Sequence, residues 1–358
     1  MLKLTRRRTL AVMGGGLATL AGSKFLVEPA RAADRITVLN WQGYGTDESW
    51  AVEAFTADTG IEVVHDYFNS EAEMLTKLRT NPGVYDVVLI NSARSQQAAG
   101  EDLLTPLDLS NFSNAAGLAP ALRDNAYLKT DGKLYGVSWV WGMNALAIRD
   151  GMDKPESYAA LAATDYKDNV ALFDDAVTMI GVGAFLSGQD MNDPKDLDKV
   201  AEQLKAMKPN VKLLWSSEDQ WNKAFSAGEF DLSVYWSGAA VRSQRKFKLP
   251  LHFVVPKEGA IGWLDSLSIP ATSQNQEAAA KFINYMIDPK FYVEWATKIG
   301  APASANEKAM EELPADDLNR EIHKPEYIET MTLMAPLPDE RRTAFNNLWQ
   351  EVKAFYAA

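Results

Sequence analysis

The chain has 358 residues and no cysteine, with 48 acidic against 36 basic side chains and a formal net charge of −12. That composition excludes disulfides, thiol nucleophiles and cysteine-ligated metals, and it excludes a general electrostatic attraction to nucleic acid. A hydrophobic core must then hold the fold unaided, and at roughly 100–200 residues per domain the length predicts two domains.

The N-terminus reads as an export signal. Arg6-Arg7-Arg8 precede a weakly apolar stretch from Leu10 to Gly22, and Ala30-Arg31-Ala32-Ala33 follows. A charged region, an apolar region and a small-residue cleavage site in that order form a secretory signal. Paired arginines ahead of a Gly-rich core point to the twin-arginine route, an ordinary secretory signal being the alternative. Residues 1–32 are therefore read as a signal cleaved near Ala32, and the remainder as a periplasmic protein. The apolar run is shorter than the ~20 residues that span a bilayer. Losing six cations and Glu28 with the signal takes the net charge to about −17 by formal counting.

From residue 35 onward, strand-like and helix-like segments alternate. Residues 35–40 are apolar and β-branched, and a helical pattern through Trp50 and Phe55 ends at Thr59-Gly60, where glycine suits the left-handed C-terminal position. Residues 61–68 form a second strand. Ser70 and Glu73 then make a capping box for a helix carrying Met74, Leu75 and Leu78, and Asn81-Pro82-Gly83 breaks the chain before a buried strand at 85–90. This βαβαβ order predicts a mostly parallel sheet covered by helices. It resumes with strands at 169–173, 211–215, 232–236 and 251–256, and helices at 196–207 and 218–227. The segments 135–148 and 260–270, long, apolar and glycine-containing, are the expected connecting strands. A last helix over 339–356, with Phe345, Leu348, Val352 and Phe355 in phase, is expected to pack on the second lobe.

Ligands bind at the carboxyl ends of strands in open parallel sheets. Here those ends carry Asn40-Trp41, Asn91-Ser92, Asp174-Asp175 and Trp236-Ser237, while Trp263 and Asp265 lie in the second connecting segment. An ammonium group taken from water needs carboxylates or other acceptors, and aromatic faces add roughly 0.5–2 kcal/mol of cation–π attraction. Trp41, Tyr44, Trp236, Trp263, Asp175 and Asp265 supply that mixture. Burial in the core is the alternative for any one of these tryptophans, and helix N-capping for an aspartate after a strand, Asp174 above all.

The stretch Leu39-Asn40-Trp41-Gln42-Gly43-Tyr44, with Phe55-Thr56-Ala57-Asp58-Thr59-Gly60-Ile61, resembles the N-terminus of the periplasmic spermidine/putrescine-binding proteins. So do Tyr85-Asp86-Val87-Val88-Leu89-Ile90-Asn91-Ser92, Tyr135-Gly136-Val137 leading to Trp141-Gly142, and Val255-Pro256-Lys257-Glu258-Gly259 through Trp263-Leu264-Asp265-Ser266. The resemblance runs along essentially the whole mature chain. It implies the α/β two-lobed type II periplasmic binding fold, each lobe a mostly parallel sheet flanked by helices and joined by hinge strands. Lobe 1 is expected at 34–140 plus 264–308, and lobe 2 at 141–263 plus 309–358. It also implies a monomeric binder of polyamines or a related small amine that serves the permease subunits of an ABC transporter, with no cofactor, metal or nucleic acid.

Carried over by position, Trp41 and Tyr44 are wall residues, Ser92 a polar contact, Asp175 an acid of the second lobe, Trp236 a second wall, and Trp263 with Asp265 the hinge-side aromatic and central acid. Gln42, Arg94 and Thr178 complete the candidate ligand-binding set. Four positions depart from the family pattern: Gly43 stands for an acid, Arg94 for a tyrosine, Thr178 for a glutamate and Ala301 for a tyrosine. Arg94 suits a carboxylate, so a zwitterionic ω-amino acid such as γ-aminobutyrate, held by Arg94 and Asp265, is the alternative ligand. A salt bridge from Arg94 to Asp175 or Glu101 is the competing account. An enzyme on the same fold has little to work with. There is no Gly-x-Ser-x-Gly elbow and no phosphate-cradling loop, and His65, His252 and His323 read as structural, His323 in an exposed C-terminal region.

Overall fold

Residues 35–358 are described by the structure, a computed structural model; the export signal read over 1–32 lies outside the described residues. Three apolar strands, β1 (Arg35–Asn40), β2 (Glu62–Tyr67) and β3 (Val87–Asn91), pair in parallel in the order β2-β1-β3. The helices α1 (Ser49–Thr59), α2 (Glu71–Thr80) and α3 (Ser92–Gly100) follow them in turn. Gly60 ends α1 with φ 74°, and its N–H donates to the Thr56 carbonyl. Ser70 caps α2 by accepting from the Glu73 N–H, while the Glu73 carboxylate accepts from Asn69 rather than from Ser70.

The second half of the sheet comprises β4 (Val137–Arg149), β5 (Val170–Phe173), β6 (Val211–Trp215), β7 (Leu232–Trp236), β8 (Leu251–Val254) and β9 (Ile261–Ser268). β7, β5 and β6 form a second parallel triplet. β4 and β9, the expected connecting strands, run antiparallel to one another from Asn144↔Ile261 to Val137↔Leu267. β9 pairs with β3 on its other side, and β4 with β7, giving one sheet in the order β2-β1-β3-β9-β4-β7-β5-β6.

Both connecting strands change core partway along. In β4, Val137, Trp139 and Val140 pack in a core with Val38, Ile90 and Phe282, whereas Leu146 and Ile148 pack with Leu172, Val234 and Val352. In β9, Leu264 and Leu267 belong to the first core and Ile261 to the second. Each fully buried Leu, Ile or Phe stabilises its core by about 1.5–3 kcal/mol, so two independently packed bodies hang on two continuous strands. Ala309, Leu313 and Met331 pack with the first core rather than the second.

The second body carries α4 (Ala176–Leu186), α5 (Leu197–Lys205), α6 (Glu218–Ser226) and α7 (Ser237–Phe247), the first α8 (Gln276–Met286) and α9 (Pro289–Lys298). The last helix, α10 (Asp339–Ala357), packs on α4 and α5 of the second body. Its buried face is Phe345, Trp349 and Val352, and Phe355, expected on that face, is 42% exposed beside Lys208. Asp174 explains the rotation, because it accepts from Trp349 Nε1 at 2.7 Å and from Lys353 Nζ at 2.8 Å. The α4 N-cap is therefore Asp175, accepting from the Thr178 N–H, and not Asp174. His323 is also corrected: it is buried, its Nε2 2.8 Å from Ser237 Oγ, and burial pushes its pKa down to about 3, so the ring is neutral.

Candidate ligand-binding cleft

Strand register sets the dimensions of the crevice. Asn91, the last residue of β3, faces Asp265, which faces Val140 of β4. Trp236, the last residue of β7, faces Asn144 of the same strand. The carboxyl ends of the two parallel triplets are thus four residues apart along β4, about 13 Å at 3.3 Å per residue. Trp263 faces Gly142, midway between them, and shares a face of β9 with Asp265 two residues on. Only glycine fits at 142, because a Cβ there would lie 2.3 Å from the Trp263 ring and 2.8 Å from Ser237 Oγ.

Asp265 is 7% exposed. Its Oδ2 accepts from the Tyr44 hydroxyl at 3.0 Å and its Oδ1 from Asn91 Nδ2 at 2.9 Å. Burial pushes its pKa up to about 6 against the pull of those two bonds, and no cationic side chain of the described residues contributes. A carboxylate so placed is short of one positive charge.

Tyr44 reaches Asp265 from the loop after β1. The Asn40 side chain ties that loop down by donating to the Tyr44 carbonyl and to Thr46 Oγ1. The Tyr44 ring meets Trp139 and Trp295 edge-on at 5.8 and 6.2 Å. Trp41 is half-buried, its ring 4.5 Å from that of Phe68. Gln42 is exposed and forms no hydrogen bond among the described residues.

On the second body, Asp175 is half-buried and its oxygen is engaged by the α4 amide of Thr178, yet burial still raises its pKa. Thr178 is buried, and its hydroxyl accepts from Asn144 Nδ2 at 2.9 Å. Trp236 is half-buried against Phe173 and Trp215, both at 4.9 Å. Ser92 opens α3 beside Asn91 and is fully buried, its hydroxyl without a partner among the described residues. Such an orphan is expected where a ligand or water completes the bonding. Ala301, where the family pattern has a tyrosine, is fully buried in the first core.

Arg94 forms its ion pair with Glu71, Nε to Oε2 at 3.3 Å, not with Asp175 or Glu101; Glu101 is bound by Arg79 instead. Burial and the charge of Asp265 together push Glu71 up to about 7, with Arg94 and Arg342 opposing. Glu71 and Arg342 are the members of this neighbourhood absent from the sequence reading, and Asn91, read there only as a strand-end residue, is the one that donates to Asp265. Asn91 and Glu71 carried a signal, since each sits where a strand of the first triplet gives way to a helix. Two surface grooves of about 520 and 570 Å³ lie elsewhere and include none of the ten candidate residues. Among the described residues no cluster of three His, Cys, Asp or Glu side chains is arranged to hold a metal ion, and no helix is long and apolar enough to cross a membrane.

Comparison with known proteins adds an independent line. Residues 50–322 match the family model of the bacterial extracellular solute-binding proteins. The chain is 34% identical over 294 residues to spermidine/putrescine-binding periplasmic protein 1 of Haemophilus influenzae, covering 80% of this chain and 79% of that one. It is 32% identical over 281 residues to the spermidine/putrescine-binding periplasmic protein of Salmonella typhimurium, covering 76% and 79%. Its fold is similar to the crystal structure of the spermidine/putrescine ABC transporter substrate-binding protein PotD from Streptococcus pneumoniae, with a TM-score of 0.80, 24% identity, and 90% and 99% of the two chains covered.

Proposed function

Because the chain belongs to the bacterial extracellular solute-binding proteins, we propose that it is the periplasmic receptor for a small amine of the spermidine/putrescine class and passes it to the permease subunits of an ABC transporter. Membership of a family of binding proteins removes the enzyme alternative. The observation that carries the ligand class is Asp265: a buried carboxylate on a hinge strand, held by Tyr44 and Asn91 and lacking a cation. An ammonium group placed there supplies the missing charge and accepts the cation–π attraction of Trp263 and Tyr44. The relatives named above bind spermidine and putrescine, which fits that chemistry.

The export signal, the monomeric state and the two-lobe division belong to the same proposal, with the expected bounds of 34–140 plus 264–308 and 141–263 plus 309–358 redrawn so that Ala309, Leu313 and Met331 go with the first lobe. β4 and β9 are its hinge. Trp41, Tyr44 and Ser92 approach the ligand from one lobe, and Asp175 and Trp236 from the other. Contacts made to both lobes at once exist only when they are closed, so ligand shifts the population toward closure. The permease then reads the closed pair. The zwitterion alternative is not favoured, because the guanidinium it requires is occupied by Glu71 and by Gln97. Calorimetric titration with putrescine, spermidine and γ-aminobutyrate tests the proposal. Saturable binding of a polyamine is expected; γ-aminobutyrate binding more tightly than either polyamine would overturn it.

A further inference from the structure

We infer that Glu71 is a second carboxylate of the cleft, taking the far ammonium of a short diamine, and that Arg94 is the residue that positions it. The inference rests on the amine-receptor reading and sharpens its ligand to a diamine. Glu71 is the first residue of α2 and Arg94 the third of α3, two helices that start at the carboxyl ends of β2 and β3. That edge of the first triplet faces the crevice, and Asn91, the bridge to Asp265, lies at the same edge.

The Arg94 fork is held at two points, Nε on Glu71 Oε2 and Nη1 on Gln97 Oε1 at 2.9 Å. This fixes the Glu71 carboxylate while using one of its oxygens; no donor reaches Oε1 among the described residues. The two side chains are 14% and 28% exposed, so the pair is walled but open on one side. Glu71 also lies within the electrostatic reach of Asp265. A carboxylate whose proton affinity is raised by a second one is relieved by a cation set between or against them. A diamine does so with one ammonium on each.

The far end is closed by cations. Arg342 comes from α10 on the opposite lobe into the field of Glu71 and Arg94, with its Nη2 on the Leu337 carbonyl and its Nε buried without a partner. Arg94 and Arg342 beyond Glu71 oppose a third ammonium. The cleft therefore prefers putrescine to spermidine.

The test compares putrescine, spermidine and butylamine as calorimetric ligands of the whole mature chain. Wild type is expected to bind putrescine at least tenfold more tightly than spermidine. Glu71→Gln alone would leave Arg94 uncompensated, so the decisive variant is Glu71→Gln with Arg94→Gln, which removes both charges together. A contact role predicts a 10- to 100-fold loss for putrescine, the usual effect of a lost hydrogen bond to a charged group, and less than a threefold change for butylamine. If Glu71 merely balances Arg94, the double variant restores wild-type putrescine affinity, and the inference is overturned. An equal loss for both amines overturns it too. Glu71→Asp with Arg94 intact is the second variant should the double one not fold; it is expected to weaken putrescine and spare butylamine, and unchanged putrescine affinity counts against the role. Asp265→Asn runs beside these. Loss of both amines in that variant keeps the receptor reading whatever Glu71 does, and wild-type binding by it defeats the receptor reading instead.

Discussion

Replacing Asp265 by Asn separates the cost of the site from its use. The folded empty protein holds Asp265 at a pKa of about 6 against an ordinary 3.8. Between those values the folded state binds a proton that the unfolded state has released, so stability falls as pH rises through the window. At 1.36 kcal/mol per unit, the carboxylate destabilises the empty protein by about 3 kcal/mol above pH 6. Asn removes that charge and keeps both hydrogen bonds. Asn91 Nδ2 still donates to the amide oxygen, and the Tyr44 hydroxyl turns to accept from the amide nitrogen. The empty variant is therefore expected to melt higher at pH 7.5, by roughly 4 °C for about 3 kcal/mol in a chain of this length. With putrescine at a thousand times the wild-type Kd the order reverses, since ligand adds about 4.1 kcal/mol to wild type and nothing to the variant. Differential scanning fluorimetry with and without ligand reads both effects. A variant that melts below wild type when both are empty, or that is stabilised by putrescine as wild type is, would refute the reasoning.

The same carboxylate makes affinity pH-dependent: butylamine needs only Asp265 ionised, so its Kd is expected to be flat above pH 7 and to rise about tenfold per unit below pH 6, with proton release visible as a buffer-dependent binding enthalpy. Gly142→Ala should displace the Trp263 ring, given the 2.3 Å approach of the added Cβ; a stability loss of about 1–3 kcal/mol and weaker amine binding are expected, and an unchanged melt with unchanged Kd would clear the position. Asp175→Ser keeps an N-cap for α4 and removes a charge, so thermal stability should hold within about 0.5 kcal/mol while polyamine affinity falls. Asp174→Ala frees Trp349 and Lys353 from their shared acceptor; denaturant unfolding should show a loss of about 2–4 kcal/mol, with Kd little changed.

Much of this architecture is legible in the chain because hydrophobic period and punctuation coincide there. β1, β2 and the helices opened by Ser70 and closed by Gly60 lie within a residue or two of their sequence-predicted bounds. The connecting strands were legible as well, since a long apolar segment passing between two cores needs no polar face. Trp263 and Asp265 were candidates by their place in the second connecting segment and Tyr44 by family resemblance, and the structure joins Tyr44 to Asp265 directly. What escaped were choices between neighbours and pairings between distant elements. Either of the adjacent Asp174 and Asp175 can cap a helix, and only the docking of α10 decides that Asp174 turns to Trp349. The same docking buries Trp349 beside a partly buried Leu348 and leaves Phe355 in solvent. Arg94 had three acids to choose from, and the one it takes, Glu71, is brought near by the pairing of β2 and β3 with β1 between them. His323 follows a short helix in an acidic stretch, and nothing in its neighbours announces that it is buried against Ser237.

The central claim is that Asp265 receives the positive nitrogen of the ligand. A crystal structure of the protein grown with putrescine measures this directly. It should show lobes closed about β4 and β9, with one ammonium within 3.2 Å of an Asp265 oxygen and lying against the Trp263 or Tyr44 ring. Putrescine bound with both nitrogens away from Asp265, or an Asp265 carboxylate neutralised by an arginine of the opposite lobe, would contradict the account.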